Sequence, residues 1–380
     1  MAVIRLLTIV GARPQIIKAA AISRAVRTQF AGQIEERILH TGQHYDDNMS
    51  EVFFRELGIP APDYNLHVGS GSHAEQTGKM MIGIETVLKD AHYDAVLVYG
   101  DTNSTLAAAV SASKLQVPVF HVEAGLRSYN HTMPEEINRV VCDQLSTILF
   151  APTQTAVDNL QKEGVPMRNQ KVVLSGDVMY DNSMYFSAMA DVQSDIIERL
   201  GLRYRQFVLA TIHRPANTDN PENLRSIFRA LNDIAEQHQM DVVLPLHPRT
   251  RKMIGDFSRS ADAVCRLEIG DLSDRIRIIE PASFFEIIRL EKNAAIVMTD
   301  SGGVQKEAFF YGTPCVILRP ETEWVEIVDA GAGIIADADY ERIMAAYEQL
   351  VNKPVQFPAL FGDGHASEKI ISEILAYLDV

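Results

Sequence analysis

Cysteine is scarce in this 380-residue chain: Cys142, Cys265 and Cys315 lie far apart and form no CxxC pair. An odd, scattered set of three excludes a disulfide framework and a cysteine-built zinc cluster, and it suits a reducing compartment. Positive charge is also short. Lysine and arginine number 35 against 50 acidic residues, a net charge of −15. That balance weighs against a chain-wide footprint for nucleic acid, while leaving room for a local basic pocket. No uninterrupted apolar run reaches the ~18 residues that span a bilayer. The opening MAVIRLLTIVGARPQ is too short a stretch to span and lacks the small-residue cleavage site of a secretory signal. A cytoplasmic protein with no membrane partner and no nucleic-acid partner is therefore expected. Composition does favour folding, with 47% hydrophobic and 22% charged residues. At roughly 100–200 residues per domain, the length accommodates about two domains.

What is abundant is alternation. Short runs rich in Val, Ile and Leu occur at 4–10, 95–100, 117–122, 148–153, 207–213, 242–247, 294–300 and 314–318. Continuous apolar runs of this kind read as parallel strands buried on both faces. Helical patterns lie between them at 17–29, 74–90, 104–115, 154–162, 222–238 and 304–311. The order predicts an α/β fold with mostly parallel sheets. The alternation restarts once, with one set of units over 1–170 and a second over 205–365. A Met-rich helical stretch at 178–200 joins them, and SEKIISEILAYLDV at the end has helical spacing.

Ligands of open α/β sheets bind outside the carboxyl ends of the strands, so the residues after each run matter most. Gly11-Ala12-Arg13-Pro14 follows the first run, with Lys18 close behind. A glycine turn and a proline at a helix start place Arg13 and Lys18 where free N–H groups favour anions, although this is neither GxGxxG nor a Walker A sequence. His44 lies in the loop after the second strand region. Gly100-Asp101-Thr102-Asn103-Ser104 reads either as a helix cap or as a carboxylate aimed at a ligand. Glu123 ends an apolar strand before a glycine and has no evident structural task there, which suits proton transfer. Pro134-Glu135-Glu136 is sound helix-start chemistry, so Glu136 fits a purely structural role; Arg139 follows one turn on. In the second half, His213 and His247 each follow a strand. Asp300-Ser301-Gly302-Gly303 opens a helix with small residues that let backbone N–H groups approach a phosphate, and Glu307 stands where an acid can reach sugar hydroxyls.

The runs GARPQIIK, TGQH, YGDTNST, HVEAGLRS, PEEINR, FAPT, IHRPANTD, PLHPRT and DSGGVQKEA, spread in order over residues 11–326, resemble the non-hydrolysing UDP-N-acetylglucosamine 2-epimerases. The resemblance implies two Rossmann-like domains facing a cleft, in the glycosyltransferase-B arrangement, with a C-terminal helix crossing back to the first. The expected division is 1–172 with the closing helix 366–380, and 173–365 as the UDP-binding domain. It further implies that the C2 proton of a UDP-2-acetamido sugar is removed and UDP expelled. A 2-acetamidoglucal forms, and readdition on the other face inverts C2 for surface polysaccharide synthesis. By motif, Asp101, Glu123, Glu135 and His213 take catalytic roles. Arg13, Lys18, His44, Arg139, His247, Ser301, Gly302, Gly303 and Glu307 bind the UDP-sugar, with Glu307 on the ribose. The chemistry demands no cofactor and no metal, and the family is commonly a homodimer.

Departures from the family pattern are informative. His213-Arg214-Pro215-Ala216-Asn217 lacks the acid of the family's HRxEN motif. Thr322-Glu323-Trp324-Val325-Glu326 carries Trp where TERPE has Arg, and TGQH continues as Tyr45-Asp46-Asp47. These changes argue against a second, activating UDP-GlcNAc site. The pattern is closer to the branch acting on UDP-2,3-diacetamido-2,3-dideoxy-glucuronate, whose extra carboxylate wants a cation, with Arg127 or Arg249 available. UDP-GlcNAc remains a competitor. The alternatives are a hydrolysing epimerase releasing UDP and free ManNAc, or a glycosyltransferase of similar fold.

Overall fold

The structure is a computed structural model and describes residues 3–42, 58–167, 169–246, 250–251 and 272–378. It divides into two compact units, Met1–Asn182 together with Ala359–Val380, and Ser183–Pro358. The sequence reading had set this boundary at 172/173.

In the first unit, β1 (Ile4–Val10), β2 (Ile34–His40), β3 (Tyr64–Asn65), β4 (Ala95–Tyr99), β5 (Val119–Val122), β6 (Ile148–Ala151) and β7 (Lys171–Leu174) alternate with helices. The helices are α1 (Arg13–Thr28), α2 (His73–Asp90), α3 (Asn103–Lys114), α4 (Pro134–Leu145), α5 (Gln154–Lys162) and α6 (Val178–Gln193), whose length contains the division between the units. The sheet order is β3-β2-β1-β4-β5-β6-β7, all parallel.

The second unit runs α7 (Ile196–Arg199), β8 (Phe207–Thr211), α8 (Pro215–Thr218), α9 (Pro221–Gln237), β9 (Asp241–Pro245), β10 (Ile276–Ile279), α10 (Phe284–Asn293) and β11 (Ile296–Thr299). It continues with α11 (Gly302–Phe310), β12 (Cys315–Ile317), α12 (Val325–Asp329), β13 (Gly333–Ile335) and α13 (Tyr340–Asn352). Its order is β10-β9-β8-β11-β12-β13, again parallel throughout.

Both faces of each sheet are covered, which is why the central strands read as unbroken apolar runs. In β8, Val208 and Ala210 pack into one core cluster while Phe207 and Leu209 pack into another. The helix α9 shows how a covering element is written. Leu224, Ile227, Phe228, Leu231 and Ile234 recur at helical spacing and are all buried, each worth about 1.5–3 kcal/mol of removed apolar surface. Asn220 caps its first turn by accepting from Glu222 N and Asn223 N, and Pro221 opens it.

The final helix α14 (Ala366–Leu378) belongs to the first unit. The Asp181 carboxylate accepts from Ala366 N, Ser367 N and Ser367 Oγ, fixing the start of α14. Lys171 pairs with Glu373 at 2.5 Å, and Tyr377 meets Phe120 edge to face.

Each sheet reverses its building direction once, at β1/β4 and at β8/β11. A doubly wound sheet binds its ligand outside the strand ends at such a switch point. The turns after β1 and β4, and after β8 and β11, are therefore where function concentrates.

Candidate active site

At the first switch point, the β1–α1 turn is locked from inside. Gln15, buried on the first turn of α1, accepts from Gly11 N and Ala12 N at 2.9 and 3.2 Å. Its amide donates to Tyr99 O and Thr105 Oγ1, both at 2.9 Å, so the turn is tied to the end of β4 and to α3. Gly11 is required by space. A Cβ there would lie 2.1 Å from Ser104 Oγ and from Thr41 Oγ1, two hydroxyls bonded to each other at 2.8 Å.

Two ion pairs sit on this frame. Lys18 Nζ lies 2.5 Å from Glu123 Oε2, and both side chains are nearly buried. Asp101 is paired with Arg139, whose other amino group reaches Glu136 at 2.8 Å. The cap of α3 is Thr102, which accepts from Thr105 N. Asp101 is thus spared the capping task, and its carboxylate is about one-third exposed. Asn138 of α4 donates to Asp101 O at 2.9 Å, holding the turn from behind. Glu123 stands at φ +71°, left-handed backbone that is uncommon for a side-chain-bearing residue.

The paired acids of α4 separate by burial. Glu136 is buried and accepts from Ser128 N, Ser128 Oγ and Tyr129 N as well as Arg139. Burial pushes its carboxyl up, and these donors outweigh burial, so it lies below the ordinary range. It anchors the 128–129 loop. Glu135, its neighbour on the first turn, is exposed.

At the second switch point, Asp300 is the hub. Fully buried, it accepts from His213 N, Arg214 N and Asn217 Nδ2 at 3.0–3.2 Å, and His213 Nδ1 lies 3.1 Å from its Oδ1. Burial raises its pKa, but the His213 ring, the Arg214 N–H and the Asn217 amide more than compensate and hold it below the usual carboxylate range. The Asp300 carboxylate fixes the orientation of the His213 ring through Nδ1. Ser301 is the N-cap residue of α11 but makes no side-chain cap bond; its N–H donates to Thr299 Oγ1. The Gly302 and Gly303 N–H groups follow at the positive end of the helix, where an anion is favoured. Around Gly302 stand Glu323, Trp324 and Arg319, all at ordinary contact distance from where a Cβ would sit. Trp324 is buried, with the Lys306 ammonium 4.0 Å over its ring, and Arg319 forks onto Glu323 at 3.1 Å. The TEWVE segment is therefore a braced wall beside the Ser-Gly-Gly turn.

Glu307 lies on the second turn of α11 against the fully buried Glu291 of α10. Burial first, then the Glu307 charge, pushes the Glu291 carboxyl well up.

Several sequence expectations meet limits or corrections here. His44, His247 and Arg249 lie outside the described residues, and so does the Arg13 side chain, although Arg13 opens α1. Arg127 is not placed to receive a substrate carboxylate. Its guanidinium is buried and spent on Asp143 at 2.7 Å, on both oxygens of Glu163 and on Leu126 O. The sequence reading gave no role to Asp300, Gln15, Glu291 or His121. Asp300 carried the signal that singled out Glu123, an acid directly after a buried strand. Among the described residues, no group of three or more His, Cys, Asp or Glu is arranged to hold a metal ion.

Fold and site together define a two-unit enzyme of the glycosyltransferase-B type, with carboxylates at one switch point and a phosphate-receptive helix start at the other. The family described as UDP-N-acetylglucosamine 2-epimerase matches residues 27–375. Among curated proteins, the chain is 47% identical to UDP-2,3-diacetamido-2,3-dideoxy-D-glucuronate 2-epimerase of Pseudomonas aeruginosa, covering 98% of this chain and 100% of that protein. It is 41% identical to UDP-N-acetylglucosamine 2-epimerase of Methanocaldococcus jannaschii, over 98% and 99%. A crystal structure of the M. jannaschii enzyme with UDP-GlcNAc and UDP superposes with a TM-score of 0.84 at 40% identity, covering 98% of this chain and all of that one. The chain belongs to the UDP-N-acetylglucosamine 2-epimerase family and is an isomerase.

Proposed function

We propose that this enzyme inverts C2 of UDP-2,3-diacetamido-2,3-dideoxy-D-glucuronate, with UDP-GlcNAc as the rival substrate. The observation that carries the reading is the full-length likeness to the P. aeruginosa enzyme, at higher identity than to the M. jannaschii UDP-GlcNAc enzyme. The braced TEWVE wall, with Trp324 buried beneath Lys306, sets the UDP-receiving turn apart from the TERPE pattern.

The reaction balances without an oxidant or a co-reactant. An enzyme base takes the C2 proton, and the C–H electron pair becomes the C1=C2 bond of a 2-acetamidoglucal. UDP departs with the C1–O pair. Return of UDP to C1 and of a proton to the opposite face of C2 completes the inversion. Asp101, Glu123 and Glu135 supply the proton-accepting and proton-donating groups. His213, Ser301, Gly302 and Gly303, with Arg13, Lys18, His44, Arg139 and His247, hold and neutralise the diphosphate, while Glu307 takes the ribose hydroxyls. Donors aimed at the leaving diphosphate stabilise the charge that grows as C1–O breaks. The reading carries with it a cytoplasmic homodimer.

Incubation in D2O with each sugar nucleotide tests this. Deuterium at C2 with inversion in the diacetamido-uronate, and much slower exchange in UDP-GlcNAc, is the expected result. The reverse preference transfers the assignment to UDP-GlcNAc. Stoichiometric free UDP would identify a hydrolysing enzyme, and no exchange with either sugar removes the proposal.

A further inference from the structure

His121 lies within β5, two residues before Glu123, and it is completely buried. A histidine in a dry strand must find partners for both ring nitrogens. Nδ1 lies 2.7 Å from Asp143 Oδ1 on α4, and Nε2 lies 2.8 Å from the carbonyl oxygen of Gly100. A carbonyl only accepts, so Nε2 carries a hydrogen. Asp143 also accepts from Arg127 Nη1 at 2.7 Å and from Gly125 N at 3.2 Å, as an ionised carboxylate does, so Nδ1 carries a hydrogen too.

Charge balance reaches the same result. Arg127 is forked onto Glu163 by two bonds of 2.6–2.7 Å and also lies 2.7 Å from Asp143, so one guanidinium faces two carboxylates. A neutral ring would leave Asp143 and Glu163 sharing that single cation, whereas a protonated His121 balances the cluster. The other titratable group against the ring is Cys142 of α4. Burial works against a charged ring here, while the Cys142 sulfur and Asp143 act the other way and prevail.

The partners are not arbitrary. Gly100 immediately precedes Asp101 and turns at φ +59°, and Gly125, held by Asp143, lies two residues after Glu123 at φ +83°. We infer that His121 is a positioning residue: a standing imidazolium that grips the Gly100 carbonyl and, through Asp143, the Gly125 N–H, fixing the two turns that present Asp101 and Glu123. This rests on the proposed roles of those two acids.

The experiment is nitrogen NMR of the full-length enzyme labelled at histidine, with His121→Gln used to assign the ring. Both His121 nitrogens are expected to stay in the protonated range as pH rises well past the ordinary histidine value of about 6.5. A neutral tautomer there overturns the inference whatever the enzyme turns over. In kinetics, Asp143→Asn keeps the shape and removes the counter-charge. It should neutralise His121, lower kcat about a hundredfold and leave KM for the UDP-sugar within about threefold, with a displaced pH profile. Because the wild-type spectrum is read directly, a variant that fails to fold leaves the test standing. A protonated ring together with unchanged kcat and pH profile in folded Asp143→Asn overturns the positioning role. Wild-type enzyme inactive on every UDP-2-acetamido sugar, with a protonated His121, sinks the epimerase reading instead.

Discussion

The two switch points share a topology and differ in what fills them. At the first, the helix start is satisfied internally, since Gln15 takes the Gly11 and Ala12 N–H groups, and three carboxylates have cations: Lys18 for Glu123, Arg139 for Asp101 and Glu136. At the second, the buried anion is internal. Asp300 gathers the backbone of His213 and Arg214, while α11 begins on two glycines with no side-chain cap. One end holds titratable oxygens in fixed places; the other leaves the helix start without a side-chain cap, as the proposed diphosphate site needs. A doubly wound sheet fixes where a ligand goes; the polar residues at the strand ends decide what is done there.

The comparison can be broken in order of effect. Asp101→Asn and Glu123→Gln should each lower kcat by about 10²–10⁴-fold with little change in UDP binding, measured by C2 deuterium exchange and by calorimetry with UDP. Comparable loss of UDP affinity in either would erase the division of labour. Gly11→Ala and Gly302→Ala form the sharpest pair. At Gly11 the new methyl meets two bonded hydroxyls at 2.1 Å, so denaturant unfolding should show a loss of about 1–3 kcal/mol. At Gly302 the nearest atoms stand at 3.6 Å, so stability should change by less than about 0.5 kcal/mol while UDP affinity falls.

Smaller effects follow from linkage. Glu291 has a raised carboxyl in the folded state, so below about pH 4.3, the unfolded value, it costs nothing, and the cost grows as pH rises from there toward the folded value. Glu291→Gln should therefore raise Tm at neutral pH, by the equivalent of about 1 kcal/mol, and the gain should vanish on acidification below about pH 4. Asp300 has the opposite sign. Its folded pKa is depressed, so its contribution is present above about 3.9 and is lost as pH falls through the folded value. Asp300→Asn should flatten the acid limb of the unfolding curve there.

Much of the fold was legible because the central strands are buried on both faces. IRLLTIV and AAIVMTD read as strands and are β1 and β11, and α5 occupies 154–162 as read. The poorly legible strands are those with exposed or charged residues. Lys171–Leu174 is half exposed at the sheet edge, and Ile34–His40 carries three consecutive charged residues, so neither looks like a buried run. The strand-end rule located the acids and the Ser-Gly-Gly turn. It could not sort them, because Glu135 and Glu136 are adjacent and only burial tells the anchor from the exposed neighbour. Arg127 misled for the same reason: a guanidinium beside a strand end looks available until Asp143 and Glu163 are seen to occupy it.

The return of the last helix has a consequence for how the polypeptide matures. The second unit is one continuous stretch, Ser183–Pro358, whereas the first is assembled from both ends of the chain. Synthesis proceeds from the amino end, so the latter piece of the first unit is made after the whole of the second unit. The unit that holds Asp101 and Glu123 begins before the second unit and closes after it, when Asp181 receives Ala366 and Ser367.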